Sequence, residues 1–337
     1  MPRSPRIEYA GAVYHIMCRG DRRESIFADD NDRRMFLATL TDACERTGWR
    51  ILAYALMPNH YHLVLATPRA GLIDGMRWLQ TTYTVRYNVR HHVCGHLFQG
   101  RYKAIPLDPD DPGRLRILGD YVHLNPVRAR LLPPSRAGLP RPEAYPWTSL
   151  PAILGRAPRP PWLDAARLPA ASGLTPPAYA QYLRKKAAEI QGADEGAMKL
   201  LAAEWQEIRR GWALGGEDFR QDLLKRVGER MALRKRESYS GQGPCDCDVL
   251  RARSLLEKGL AALKLSLEDV RSRKTTDAEK QALVWLLRTA TAVPPVWLCD
   301  TLGLGHRSNV SRAVRAMQAP ADPVRSGLWA KMLRCKD

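Results

Sequence analysis

Two histidines separated by one residue, His60 and His62, stand in the stretch Met57-Pro-Asn-His-Tyr-His-Leu-Val-Leu-Ala66. The stretch reads as a strand, where side chains alternate between faces, so both imidazoles point the same way and can converge on one cation. Tyr61, Leu63 and Leu65 then face the opposite side. H-x-H alone does not define a metal site, since two histidines on a strand are more often surface or core residues. Its place after the Pro58-Asn59 break, near a strand end, is where ligands gather. A second polar cluster, Asp120-Tyr-Val-His-Leu-Asn-Pro-Val-Arg128, falls on a helix-like pattern. Tyr121 and Asn125 are four residues apart and share a face. Leu115, Leu118 and Val122 form a neighbouring stripe that can seat this helix on a sheet, with Tyr121 and Asn125 at its edge. Asn125 can then offer its amide oxygen as a third ligand, with Tyr121 one turn from the metal. Otherwise a tyrosine at a helix edge is a half-buried packing residue, and an asparagine before proline ends a helix. His123 points away from this face and is expected to be structural.

The elements that must position these residues follow from hydrophobic periodicity. Ala12–Cys18, Trp49–Leu56 and His60–Ala66 read as strands, and a fourth lies within His96–Leu107. Asp30–Thr47, Leu72–Val93 and Asp111–Leu131 read as helices, the first closed by Gly48 and the last interrupted near Pro126. The order β-α-β-β-α-β-α predicts an α+β domain of ferredoxin-like type with helices on one face of the sheet.

Lys and Arg total 53 against 35 Asp and Glu among 337 residues, a formal charge of +18. That surplus calls for a polyanionic partner, and the chain is long enough for two or three domains. No apolar run spans a bilayer, and the N-terminus lacks the apolar core of a signal peptide. A nucleic-acid partner in the cytoplasm, at the nucleoid, is expected rather than a membrane. The 7 cysteines are scattered, mostly in apolar stretches, and read as core thiols of a reducing compartment. Cys245 and Cys247 lack zinc-finger spacing.

Residues 133–177 hold 12 of the 25 prolines, which predicts a linker or surface wrap without regular helix or central strand. Helical spacing returns in Tyr179–Gln191, Ala197–Arg210, Glu217–Leu233 and Val249–Leu263. A break over Arg234–Asp248, with Gly241, Gly243 and Pro244, suggests a hinge near 240. Asp277–Thr291, Pro295–Leu302 and Ser308–Met317 read as three helices, the last two joined at Gly303-Leu-Gly305 and the third capped by Ser308. Arg307, Asn309, Arg312 and Arg315 then face outward, a helix-turn-helix layout for duplex DNA. It resembles the DNA-binding domain of bacterial replication initiators. A packing three-helix bundle is the competing reading.

Four segments carry a more specific resemblance: Gly11-Ala-Val-Tyr-His-Ile-Met-Cys-Arg-Gly20, Met57-Pro-Asn-His-Tyr-His-Leu63, Gly95-His-Leu-Phe-Gln-Gly-Arg-Tyr-Lys103 and Tyr121-Val-His-Leu-Asn-Pro-Val-Arg-Ala129. In this order they resemble the REP-associated tyrosine transposases, members of the single-tyrosine HUH nucleases. The resemblance covers about residues 5–150 and implies a ferredoxin-like nuclease fold. It implies metal ligands at His60 and His62, a nucleophile at Tyr121 and a third ligand at Asn125, where many relatives have Gln. It also implies single-stranded, hairpin-containing DNA as substrate, a 5′-phosphotyrosine intermediate and strand transfer.

Imidazole ligands by themselves favour Zn or Mn, whereas the resemblance implies Mg²⁺ or Mn²⁺. Between residues 86 and 130 there are 8 Lys and Arg against 4 Asp. Arg101, Lys103, Arg128 and Arg130 are the expected phosphate contacts. Phe98 and Tyr102 either stack on bases or fill the core. The expected organisation is a nuclease domain over 1–132, the proline-rich wrap over 133–177, a helical region over 178–270 and the helix-turn-helix over 271–337, in a monomer or homodimer. Two other readings compete. One is a DNA-binding regulator without catalysis, and the other is a hydrolase in which the histidine pair feeds an activated water.

Overall fold

Antiparallel pairing of four short apolar strands organises the first part of the chain. In the computed structural model the described residues are 6–132, 140–193, 196, 205–206, 208, 211–232, 242–318 and 322–335. They divide into two compact units, one over Arg6–Arg220 and one from Gln221 onward.

The first unit is built from β1 (Ala12–Arg19), α1 (Asp30–Thr47), β2 (Arg50–Met57), β3 (His60–Thr67), α2 (Leu72–His91), β4 (Lys103–Leu107), α3 (Pro112–His123) and α4 (Asn125–Arg128). The strands lie in the order β2-β3-β1-β4, all antiparallel, which is the ferredoxin-like arrangement expected from the sequence. β2 and β3 form a hairpin through Pro58-Asn59, with Met57 opposite His60. α1 opens on a capping box between Asp29 and Asp32 and stops at Gly48, whose φ of 74° suits a residue without Cβ. α1 and α2 cover one face of the sheet, where Phe36 packs on Tyr61 at 4.9 Å between ring centroids and Gln80 donates to the Tyr61 hydroxyl at 3.0 Å.

The expectation that all helices share one face is corrected by α3, which lies across the other. Leu115, Leu118 and Val122 are buried and seat it there. Gly119 lets α6 (Arg167–Ser172) approach closely, because a Cβ there would stand 2.7 Å from Leu168 Cδ2. The helix ends at His123, and Pro126 sits in the first turn of α4, where its missing N–H costs nothing.

The described part of the proline-rich stretch is a wrap along β2 rather than a spacer. Ile51 N–H donates to Trp162 O at 2.9 Å and Leu56 N–H to Trp147 O at 2.8 Å. It does contain short helices, α5 (Leu150–Ile153) and α6, each with a proline near its start. On the opposite edge, Leu214 N–H donates to Pro106 O at 2.8 Å, so both outer strands are covered. α7 (Pro176–Gly192) follows the wrap. Most of the helix expected at Ala197–Arg210 lies outside the described residues.

α8 (Glu217–Ala232) leads into the second unit, which continues with α9 (Gln242–Leu263), α10 (Leu267–Ser272), α11 (Ala278–Ala290), α12 (Pro295–Leu302), α13 (Arg307–Gln318) and α14 (Pro323–Arg334). The break expected over Arg234–Asp248 is overturned from residue 242 on. Gly243 and Pro244 lie in the first turn of α9, where proline is tolerated, and the hinge near 240 falls outside the described residues. α11 is buried along most of its length and packs against α9, α13 and α14. Ser308 does not cap α13, which begins at Arg307. The preceding His306 takes that place, its Nδ1 accepting from Ser308 N–H at 3.2 Å. All cysteines among the described residues are free thiols, with Cys18, Cys44 and Cys335 buried and Cys94 exposed.

Candidate active site

The site forms where α3 crosses the sheet. Strand alternation puts His60 and His62 of β3 and His15 of β1 on the face that α3 covers, and Tyr61 on the other. Tyr121 of α3 reaches this face. Its ring stands edge-on to His62 at 5.4 Å and to His15 at 5.7 Å between centroids. Trp205 closes a third side at 5.8 Å, and the Arg128 guanidinium lies over both rings, 5.5 Å from Tyr121 and 4.5 Å from Trp205. This enclosure buries Tyr121, which was expected at a helix edge, to 4% exposure.

His60 and His62 are 5.1 Å apart between centroids with their planes at 82°. Two imidazoles ligating one ion, with nitrogens about 2.1 Å from it, have centroids about 5 Å apart, so the pair fits a shared cation. The ring nitrogens support this. Asn59 Nδ2 donates to Arg23 O at 3.0 Å, which turns its Oδ1 toward His60 Nδ1 at 2.7 Å. His60 Nδ1 must therefore carry the proton, leaving the lone pair on Nε2. His62 Nδ1 lies 3.0 Å from His15 Nε2, and His62 Nε2 is buried with no hydrogen-bond partner among the described residues. A buried polar atom without a partner is costly and marks a place for a ligand.

Burial, with the Arg19 charge behind it, pulls His60 down to about 4. Burial, followed by the neighbouring imidazoles and the Arg128 charge, holds His62 well below the usual histidine range. Burial likewise pulls His15 down to about 3. All three rings are neutral near pH 7, the form in which imidazole binds metal.

Asn125 is buried at the start of α4, and its Nδ2 donates to Tyr121 O at 2.9 Å, which leaves the amide oxygen as an acceptor. Among the described residues no group of three His, Cys, Asp or Glu side chains could hold an ion. A cation at His60 and His62 therefore needs neutral oxygens to complete its shell, from an amide, from water or from a substrate phosphate.

The remaining expected residues spread around this centre. Arg101 and Lys103 are exposed at the start of β4, and Arg130 is exposed just past α4. Phe98 and Tyr102 are core residues, Tyr102 with the Arg6 guanidinium 4.0 Å from its ring centroid. His123 is buried away from the site, with Nε2 2.8 Å from Ser149 Oγ and Nδ1 3.3 Å from the Tyr179 hydroxyl. In the second unit Arg307, Arg312 and Arg315 are exposed on α13, while Asn309 is tied back to the turn, donating to Leu304 O at 2.8 Å.

Sequence reasoning missed His15 and Trp205. His15 was hidden in an apolar strand run, yet pairing β1 with β3 in ferredoxin order would have placed it beside His62. Trp205 had no signal, since its segment carries no motif.

Residues 8–125, which hold every one of these elements from β1 to Asn125, match the model of the family described as "Transposase IS200 like". No curated protein matches the chain. Among solved structures, one described as the REP-associated tyrosine transposase bound to a REP hairpin is similar at 15% identity with a TM-score of 0.39. That similarity covers 48% of this chain and 89% of the other. No helix among the described residues is long and apolar enough to cross a membrane.

Proposed function

We propose that this protein is a transposase that cuts and rejoins single-stranded, hairpin-containing DNA, with Tyr121 as nucleophile and a divalent cation, Mg²⁺ or Mn²⁺, at His60, His62 and the Asn125 amide oxygen. The observation that carries the reading is the edge-on placement of Tyr121 against His62, 5.4 Å apart, inside the segment that matches IS200-like transposases.

A cation bound there would neutralise charge on the scissile phosphate. Tyr121 Oη attacks the phosphorus and forms the new P–O bond while the P–O3′ bond breaks. The tyrosine hydroxyl loses one proton and the departing 3′-oxygen gains one. The products are a 5′-phosphotyrosine and a free 3′-OH, and attack by a second 3′-OH reverses the step and joins strands. His60, half-buried, and His62, buried, are both neutral and supply lone pairs without competing protonation near pH 7. Arg128, over Tyr121, adds positive charge where a phosphate must sit. Arg101, Lys103 and Arg130 are exposed and extend that charge along a strand of DNA. In the second unit, α12 and α13 form a helix-turn-helix that presents Arg307, Arg312 and Arg315 to duplex, with Asn309 shaping the turn.

The test is adduct trapping. Wild-type protein is incubated with labelled single-stranded hairpin DNA and Mg²⁺ or Mn²⁺, and denaturing gels are read for a covalent protein–DNA species. The adduct is expected for wild type and absent for Tyr121→Phe or with chelator. Binding without cleavage would return the reading to a DNA-binding regulator, and cleavage without adduct to a hydrolase.

A further inference from the structure

His15 lies on β1 and faces the same side of the sheet as His62. The register puts Met17 opposite His62, so His15 is its diagonal neighbour across the strand pair. Their rings stack at 5.2 Å with planes 20° apart, and His15 Nε2 is 3.0 Å from His62 Nδ1. Both are shut off from solvent, at 0% and 4% exposure.

A contact of this length between two neutral imidazoles holds one proton. If His15 supplies it, His62 Nε2 must carry a second proton into a buried place with no acceptor among the described residues. If His62 supplies it, Nε2 holds a lone pair there instead. The second proton then sits on His15 Nδ1, which is also buried but lies toward the Ile208 backbone, whose hydrogen bond favours a proton on His15. Only the second arrangement can bind a cation.

We propose that His15 is a positioning residue that accepts the Nδ1–H of His62 and so keeps the His62 Nε2 lone pair available to a cation, without touching ion or DNA itself. This inference rests on the cation-binding part of the function proposed above. The neighbouring histidine argues for it independently. Asn59 takes the Nδ1–H of His60 at 2.7 Å, so two acceptors from two different elements impose one tautomer on both candidate ligands. A ligating histidine is oriented by the hydrogen bond of its other nitrogen, and loss of that bond weakens metal affinity about 10- to 100-fold.

The experiment uses the full chain, labelled with ¹⁵N. Histidine ring spectra of the metal-free protein at neutral pH are expected to show His62 protonated at Nδ1 in wild type and not in His15→Leu. Mn²⁺ binding, followed by the paramagnetic resonance signal of free Mn²⁺, is expected to weaken about 10- to 100-fold in His15→Leu. His15→Gln, whose amide oxygen reaches the position of Nε2, is expected to keep the tautomer and to bind within about threefold of wild type.

A wild-type His62 protonated at Nε2 overturns the inference, and so does a His15→Leu protein that binds Mn²⁺ as wild type does. Should His15→Leu not fold, His15→Gln is compared with His15→Asn, whose shorter amide cannot reach His62. Equal Mn²⁺ affinity for these two also overturns it. The two proposals fail separately. A wild type with the expected tautomer and Mn²⁺ affinity but no DNA adduct removes the proposed function alone. A wild type that forms the adduct while His15→Leu keeps full Mn²⁺ affinity removes this inference alone.

Discussion

The ring of Tyr121 meets the ring of His62 edge-on, with 5.4 Å between centroids, and the two residues come from α3 and β3, which lie 59 positions apart in sequence at these points. Nothing local brings them together. The stripe of Leu115, Leu118 and Val122 seats α3 on the sheet and carries Tyr121 with it. Tyr121→Phe keeps the ring and its contacts with His15, His62 and Trp205, so its thermal unfolding is expected within about 1 kcal/mol of wild type. Adduct formation in the same preparation is expected to fall below detection. An adduct formed by a well-folded Tyr121→Phe protein would place the nucleophile elsewhere.

What the sequence revealed here, and what it hid, follows from the range of each interaction. Strand alternation and helix periodicity are local, so His60 and His62 on one face, and Tyr121 with Asn125 on another, were readable from spacing alone. The span Asp30–Thr47 was readable to the residue, with Gly48 closing it, while the Asp29 cap that opens it is seen only in the structure. The exposure of Tyr121 was not readable, because Trp205 arrives from a segment with no motif. His15 was readable only with the strand order in hand. In the second unit the Gly243-Pro244 pair suggested a break, but both residues stand in the first turn of α9, where the helix needs no N–H from proline.

Arg128 lies over the rings of Tyr121 and Trp205, its guanidinium 4.5 Å from the Trp205 ring centroid. Such stacking suits the planar guanidinium better than an ammonium. Arg128→Ala is expected to weaken single-stranded DNA binding and to lower the slope of log affinity against log salt by about 0.7, the share of one phosphate contact. Arg128→Lys is expected to keep the slope while losing part of the affinity. Fluorescence anisotropy of a labelled oligonucleotide across a salt series separates the two, and an unchanged slope in Arg128→Ala would remove Arg128 from the phosphate contacts.

His123 links stability to pH. Burial pulls it down to about 3, below the value near 6.5 of an unfolded chain, so between these pH values the unfolded state binds the extra proton. Its contribution is intact above about pH 6.5 and declines as pH falls, by about 1.4 kcal/mol per unit. Urea unfolding at pH 7.5 and pH 5 is therefore expected to differ by about 2 kcal/mol more in wild type than in His123→Gln. Gln can still meet the Ser149 hydroxyl, which lies 2.8 Å from His123 Nε2. Equal pH sensitivity in both proteins would show that His123 is not the proton site.

Lys280 is a charged residue in the core of the second unit, 1% exposed, and sequence periodicity gave no sign of it. Its ammonium donates to Arg271 O at 3.2 Å, Arg273 O at 2.9 Å and Gly303 O at 3.2 Å. Gly303 ends α12 with φ 64°, so Lys280 fixes the turn that sets α13 against α12. Lys280→Met keeps the length of the side chain but leaves three carbonyls unpaired, and is expected to cost about 3 kcal/mol. If α13 binds duplex, loosening its turn should also lower duplex affinity, although Lys280 itself reaches no solvent. The variant with Arg307, Arg312 and Arg315 all changed to Ala should lose duplex affinity at unchanged thermal stability, because these side chains are exposed. Melting curves and duplex titrations of both full-length variants distinguish the effects. Full duplex affinity in the triple variant would leave the second unit as a packing bundle, and full stability in Lys280→Met would show that the three carbonyls find other partners.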